Sequence, residues 1–143
     1  MAHSKTNKPL FSPENPAILA LSNGQIFQGV SIGSAGVTTG ELVFNTAMSG
    51  YQEILSDPSY AEQIVTFTTP HIGNVGVNSD DQESYHIHAA GAVIRECSPV
   101  TSNWRARQSF TEYLKTQGIV AIAGVDTRAL TRLLRDQGTL NAT

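Results

Sequence analysis

Residues 40–78 read GELVFNTAMSGYQEILSDPSYAEQIVTFTTPHIGNVGVN, a stretch in which short apolar runs are cut again and again by Gly, Pro, Asn and Asp. Such punctuation favours short strands joined by tight turns over any long uninterrupted element. Residues 41–45 are strand-like through Leu42, Val43 and Phe44, and residues 51–56 form a short helical turn. Residues 63–68 are rich in β-branched side chains and predict a buried strand, stopped by Pro70 and a loop holding Gly73 and Gly76.

The flanks extend this pattern. Residues 17–21 and 25–30 bracket Ser22, Asn23 and Gly24, and Asn-Gly supplies the positive-φ positions of a tight antiparallel hairpin. Gly29, Gly33 and Gly36 read as turns and bulges between short strands; their spacing is not that of a phosphate-binding loop. Residues 89–95 predict another strand. Further on, residues 109–117 have helical spacing in Phe110, Tyr113 and Leu114, closed by Gly118, and residues 119–123 are a continuous apolar strand. The last helix is the clearest element: Asp126 caps it, Leu130, Leu133 and Leu134 form its apolar face, and Gly138 stops it. Strands first, then helix alternating with strand, predict an α/β domain of layered β/β/α type, with mixed sheets and few helices. Residues 1–16 hold three prolines and no periodicity and are expected to be a disordered leader, so the folded domain is expected over residues 17–143.

Length and charge narrow the functional classes. The 143 residues suit one domain, since compact domains commonly run about 100–150 residues. A net charge of −3 argues against a nucleic-acid partner, which calls for a basic face. No apolar run approaches the ~18 residues of a membrane span. The single Cys97 can form no internal disulfide and no secretory signal is evident, so a cytoplasmic location is the expectation.

Several side chains invite chemistry. Cys97 sits in Arg95-Glu96-Cys97-Ser98-Pro99, without the glycine-flanked elbow of an amidotransferase nucleophile, and reads as a structural thiol. His86 and His88 fall on one side of an extended segment and offer two ligands to a metal, but no further ligands with metal spacing stand nearby, and Asp80, Asp81 and Glu83 read as a solvated loop. A metal-dependent hydrolase built on the two histidines is thus a remote alternative, and no metal site is expected. His71, bracketed by Pro70 and Gly73, is more readily a hydrogen-bonded structural residue than a chemical one. Ser59 with Glu62 matches a capping box, which is a complete structural explanation for Ser59. Arg128, Arg132 and Arg135 share one face of the last helix, in the simplest reading a solvated one.

The block GE-VFNT-M-GYQEIL-DPSY followed by IVT-T-PHIGN-G-N, together with Ser102-Asn103-Trp104-Arg105 and DTRALTRLLRDQG, resembles the N-terminal domain of the small, glutamine-using subunit of carbamoyl-phosphate synthase. The resemblance covers residues 17–141 and implies the swivelling β/β/α domain of that family. It implies that Ser59 lies against bound glutamine, and that the Arg128, Arg132 and Arg135 face helps to meet the large subunit. The family's Cys-His-Glu triad belongs to a C-terminal amidotransferase domain, so no catalytic residue is expected in this chain, and the chain alone is expected to be inactive. No cofactor is expected here either; ATP and Mg belong to the large subunit, which makes carbamoyl phosphate for pyrimidines and arginine. The competing expectation is a stand-alone swivelling-domain module that docks a partner without catalysis.

Overall fold

The computed structural model describes residues 15–47, 50–68, 71–72, 86–97 and 110–143. In chain order the elements are β1 (Pro16–Ala20), β2 (Ile26–Ser31), β3 (Gly40–Asn45), α1 (Tyr51–Ser56), a single 3-10 turn (Pro58–Tyr60), β4 (Gln63–Phe67), β5 (His71–Ile72), β6 (Gly91–Val93), β7 (Glu96–Cys97), α2 (Phe110–Thr116), β8 (Val120–Ala123), α3 (Thr127–Gln137) and β9 (Leu140–Ala142). Residues 1–14, the Asp80, Asp81 and Glu83 loop and the 102–105 motif lie outside the described residues, as do the side chains of His71 and Cys97.

Seven strands form one mixed sheet in the order β1-β2-β8-β6-β4-β3-β9, and β5 pairs with β7 separately. The four inner strands β8, β6, β4 and β3 run parallel, while β2, β1 and β9 are antiparallel to their neighbours. The two ends of the sheet meet where Ala20 and Thr143 exchange backbone hydrogen bonds, so the sheet curls into a half-barrel. This is the expected α/β class, with a mixed sheet and few helices.

Residues alternate between the two sheet faces, and each face has its own core. Val65, Phe67, Ala92, Ile94, Ala121 and Ala123 pack outward against Leu55 of α1 and Phe110, Tyr113 and Leu114 of α2. Tyr51 joins these layers, its ring edge-on to Phe67 at 5.3 Å and to Phe110 at 6.2 Å. Ile64, Val93 and Ile122 point the other way, where Leu130 and Leu134 of α3 fill the hollow together with Leu19, Leu42 and Leu140.

The hairpin forms as expected: Ala20 pairs with Ile26, the Gly24 N–H donates to Leu21 O at 2.9 Å, and Gly24 takes φ 95°. The last helix also begins and ends where predicted, with Asp126 Oδ1 accepting the Ala129 N–H at 3.1 Å and Gly138 at φ 78°. Its inner face is wider than the leucines alone, because Thr127 and Thr131 are buried too; the Thr131 hydroxyl donates to Thr127 O at 2.8 Å and so satisfies itself within the helix. Gly29 departs from the turn-or-bulge reading. It lies within β2 opposite Ala17, where a Cβ would collide with the Ala123 carbonyl of the neighbouring strand β8.

Candidate functional site

The loop from α1 to β4 carries the residue singled out for ligand binding. Asp57 ends α1, its N–H donating to Ile54 O at 3.2 Å, and then starts the 3-10 turn with its side chain: Oδ1 accepts the Ser59 N–H at 2.9 Å. Pro58 follows at the first position of the turn, where its fixed φ and missing donor cost nothing. The Tyr60 N–H donates back to Asp57 O at 3.0 Å and the Ala61 N–H to Pro58 O at 3.1 Å. Ser59 therefore stands exposed on a turn whose backbone is bonded on both sides of it.

The capping box expected from Ser59 and Glu62 does not form. Asp57 is the capping residue, two positions before Ser59, and Glu62 adopts φ 65°, a left-handed conformation incompatible with a third helical position. Glu62 turns the chain into β4 and brings its carbonyl against β3, where the Glu41 N–H donates to it at 3.2 Å. Gly40 makes that approach possible: a Cβ there would collide with the Glu62 carbonyl.

Two further residues hold the turn. The Asn45 Nδ2 donates to the Tyr60 hydroxyl at 3.0 Å, while Asn45 Oδ1 accepts the Ala47 N–H at 2.8 Å and its backbone O accepts the Thr68 N–H at 3.1 Å. The Tyr60 ring, half-buried, packs on the outer core. The sequence did not single out either one; an Asn closing the apolar run Leu42-Val43-Phe44, with a Tyr directly after the turn, was the available signal. On the other side, Leu55 O accepts the N–H groups of His88 at 2.9 Å and Ala89 at 3.1 Å, and Ala61 bridges Ala89.

The electrostatics follow from this geometry. The Ser59 backbone N–H, and after it the Ser59 hydroxyl, hold the Asp57 carboxyl below the usual carboxylate range; slight burial opposes them, and the charge of His88 adds a smaller lowering. A carboxylate so held is a weak base at neutral pH. The turn thus presents an exposed hydroxyl beside a carboxylate, two groups able to hydrogen-bond a polar ligand.

His86 and His88 do lie on one side of their segment, both exposed with Ile87 buried between them, and their rings stand edge to face at 5.5 Å. Among the described residues no group of three or more His, Cys, Asp or Glu side chains is placed to hold a metal. Arg128, Arg132 and Arg135 are all exposed on α3, far round the helix from Leu130, and the Arg135 guanidinium lies 5.6 Å from the centre of the Phe44 ring. A cavity of about 1030 Å³ opens elsewhere, beside β1, and neither Ser59 nor the arginines line it. Among the described residues, no helix is long and apolar enough to cross a membrane.

The family model described as carbamoyl-phosphate synthase small chain, CPSase domain, matches residues 19–143. The chain belongs to this family. The carbamoyl phosphate synthase small chain of Thioalkalivibrio sulfidiphilus is 62% identical over 126 residues, that of Pseudomonas aeruginosa 60% over 126 and that of Vibrio cholerae 59% over 125. These alignments take in 88%, 88% and 87% of this chain and 33% of each relative, so the chain spans about a third of the length of the curated small chains it matches. Among solved structures, an aminopeptidase from Aneurinibacillus sp. strain AM-1 aligns with a TM-score of 0.52 at 16% identity, over 92% of this chain and 30% of that one. At that identity the likeness concerns the fold alone. In this carbamoyl-phosphate synthase small-chain domain, the DPSY turn and the α3 arginines occupy separate elements, the turn between α1 and β4 and the arginines on the helix that covers the inner core.

Proposed function

We propose that this chain serves glutamine-dependent carbamoyl-phosphate synthesis as a non-catalytic part of the small subunit, with Ser59 forming one wall of the glutamine pocket. The observation that carries the reading is the Asp57-capped turn, in which the Ser59 backbone N–H donates to Asp57 Oδ1 at 2.9 Å while the Ser59 residue stays exposed. A zwitterionic amino acid needs an acceptor for its ammonium group, and the Ser59 hydroxyl oxygen, whose proton is directed at the Asp57 carboxylate, supplies one on a bonded turn. Glutamine hydrolysis belongs to an amidotransferase domain, and ammonia passes from there to the large subunit, where ATP and Mg act. The exposed Arg128, Arg132 and Arg135 face of α3 contributes to docking on that subunit.

The test is a Ser59→Ala substitution in the small chain assembled with its large subunit. Loss of one hydrogen bond to a charged ligand group corresponds to about tenfold in glutamine KM, with ammonia-driven synthesis unchanged. An unaltered glutamine KM would remove Ser59 from the pocket.

A further inference from the structure

The hydrogen bond between Asn45 and Tyr60 has a direction, and its neighbour sets it. A backbone N–H can only donate, so the Asn45 atom that meets the Ala47 N–H at 2.8 Å is the carbonyl oxygen Oδ1. The other end of the amide is then Nδ2, which stands 3.0 Å from the Tyr60 hydroxyl and has only protons to offer it. The phenol oxygen accepts. Its own proton is directed away from Asn45, and among the described residues nothing accepts it. A phenol whose oxygen already accepts a bond is a better donor for the next one, because hydrogen bonds in a chain polarise one another.

The rest of the turn has no such donor left. The N–H of Asp57 goes to Ile54 O, that of Ser59 to Asp57 Oδ1, that of Tyr60 to Asp57 O and that of Ala61 to Pro58 O. Pro58 has none, and the Ser59 hydroxyl proton is directed at the Asp57 carboxylate. Within residues 57–61, the Tyr60 hydroxyl is therefore the donor that no described group has taken. Its place is set by packing. Val43 packs against the outer core and Asn45, two residues on in β3, stands on the same face of the sheet. The Tyr60 ring packs on that core as well, so it brings its hydroxyl to the last residue of β3.

We propose that the Tyr60 hydroxyl donates to the α-carboxylate of the amino acid that meets Ser59, which makes Tyr60 a specificity-determining residue; this rests on the glutamine-pocket reading of Ser59. A free amino acid bears its ammonium and carboxylate groups on one carbon, so a site that reads both needs an acceptor and a donor close together. Adjacent residues of one turn, with Cα atoms about 3.8 Å apart, begin close. Ser59 has lone pairs to offer beside the negative charge of Asp57, and Tyr60 has a proton. The Asp57 charge also sets the orientation, since it attracts the ammonium group to the Ser59 side and repels the carboxylate toward Tyr60. A site built this way rejects a ligand whose carboxylate is replaced by a neutral group, because a hydrogen bond to a charged acceptor is lost.

The experiment measures the KM for glutamine, and the inhibition constant of glutaminamide as a competitor of glutamine, in the small chain assembled with its large subunit. Glutaminamide carries a neutral amide in place of the α-carboxylate. Tyr60→Phe is expected to raise the glutamine KM about tenfold or more, as for loss of a hydrogen bond to a charged group, and to raise the glutaminamide constant about threefold or less. Asn45→Ala keeps the phenol and gives up the bond that ties it, and is expected to change the ratio of the two constants less than Tyr60→Phe does. An equal rise in both constants in Tyr60→Phe overturns the proposal, because a loosened turn weakens both ligands alike. No rise in either overturns it too, as does a change of ratio in Asn45→Ala as large as that in Tyr60→Phe. Ser59→Ala keeps the two readings apart. If it raises the glutamine KM while Tyr60→Phe leaves the ratio unchanged, the Tyr60 assignment falls and the pocket stands; if it leaves the glutamine KM unaltered, the pocket reading falls and the Tyr60 assignment with it.

Discussion

The bond between Asn45 and Tyr60 ties the DPSY turn to the end of β3, and its strength can be isolated by a double-mutant cycle. Tyr60→Phe keeps the ring on the outer core and removes only the hydroxyl that Asn45 Nδ2 meets at 3.0 Å. One part-buried neutral hydrogen bond is worth about 1 kcal/mol net. Asn45→Ala removes that bond and also the one from the Ala47 N–H to Oδ1 at 2.8 Å, so it should cost about 2 kcal/mol on the same scale. The double variant should then cost scarcely more than Asn45→Ala alone, a coupling of about 1 kcal/mol between the two positions. Urea unfolding of the four proteins, followed by circular dichroism, measures each value. Additive losses, with coupling under about 0.3 kcal/mol, would show that the hydroxyl contact does not hold the turn and that the ring alone anchors Tyr60.

Other substitutions probe different parts of the same construction. Gly40→Ala sets a Cβ against the Glu62 carbonyl and should cost about 1–3 kcal/mol in urea unfolding, because backbone must shift to admit it. Leu130→Ala, at a fully buried position of α3, should cost about 2–5 kcal/mol by the same measurement. The Asp57 carboxyl, lower in the folded chain than when unfolded, contributes stability that is present above its unfolded pKa and is lost as pH falls through the folded one; in Ser59→Ala its NMR titration midpoint should rise part-way, since the larger backbone share remains. Arg135→Ala should cost about 0.5–1 kcal/mol through its contact with Phe44, whereas Arg128→Ala should leave urea unfolding unchanged and weaken pull-down of the large subunit.

What the sequence made legible, and what it did not, divides by the range of the interactions involved. The hairpin at Asn23 and Gly24, the Asp126 cap and the Gly138 stop depend on residues within four positions of one another, so their chemistry is written locally. β9 was not foreseen because Leu140–Ala142 becomes a strand only through β3, nearly a hundred positions earlier in the chain. Thr66, Thr127 and Thr131 are buried because α3 lies over β3 and β4, which no periodicity in their own segments reveals. At Ser59 the local pattern itself was ambiguous: Asp57 and Ser59 both precede residues they could cap. The positive φ of Glu62, set by the approach of β3 at Gly40, decides in favour of Asp57.

That decision bears on what the turn can do. Had Ser59 been the cap, its hydroxyl oxygen would accept a backbone N–H three residues on and have one lone pair fewer for a ligand. With Asp57 as the cap, the N–H of Ser59 is the group consumed, and the hydroxyl lies toward the same carboxylate that accepts this N–H at 2.9 Å. Tyr60 on Asn45 and Ala61 on Ala89 then leave the turn little freedom to lose. A ligand that meets Ser59 there need not order the loop first, and the cost of immobilising a flexible segment, about 0.5–1.5 kcal/mol for each side chain, falls away from its binding free energy. Asp57→Asn separates the two contributions: it keeps the acceptor for the Ser59 N–H and removes the charge. Glutamine KM in the assembled enzyme should stay near the parent value if rigidity is what the turn provides, and should move as far as in Ser59→Ala if the ligand's ammonium group reads the carboxylate itself.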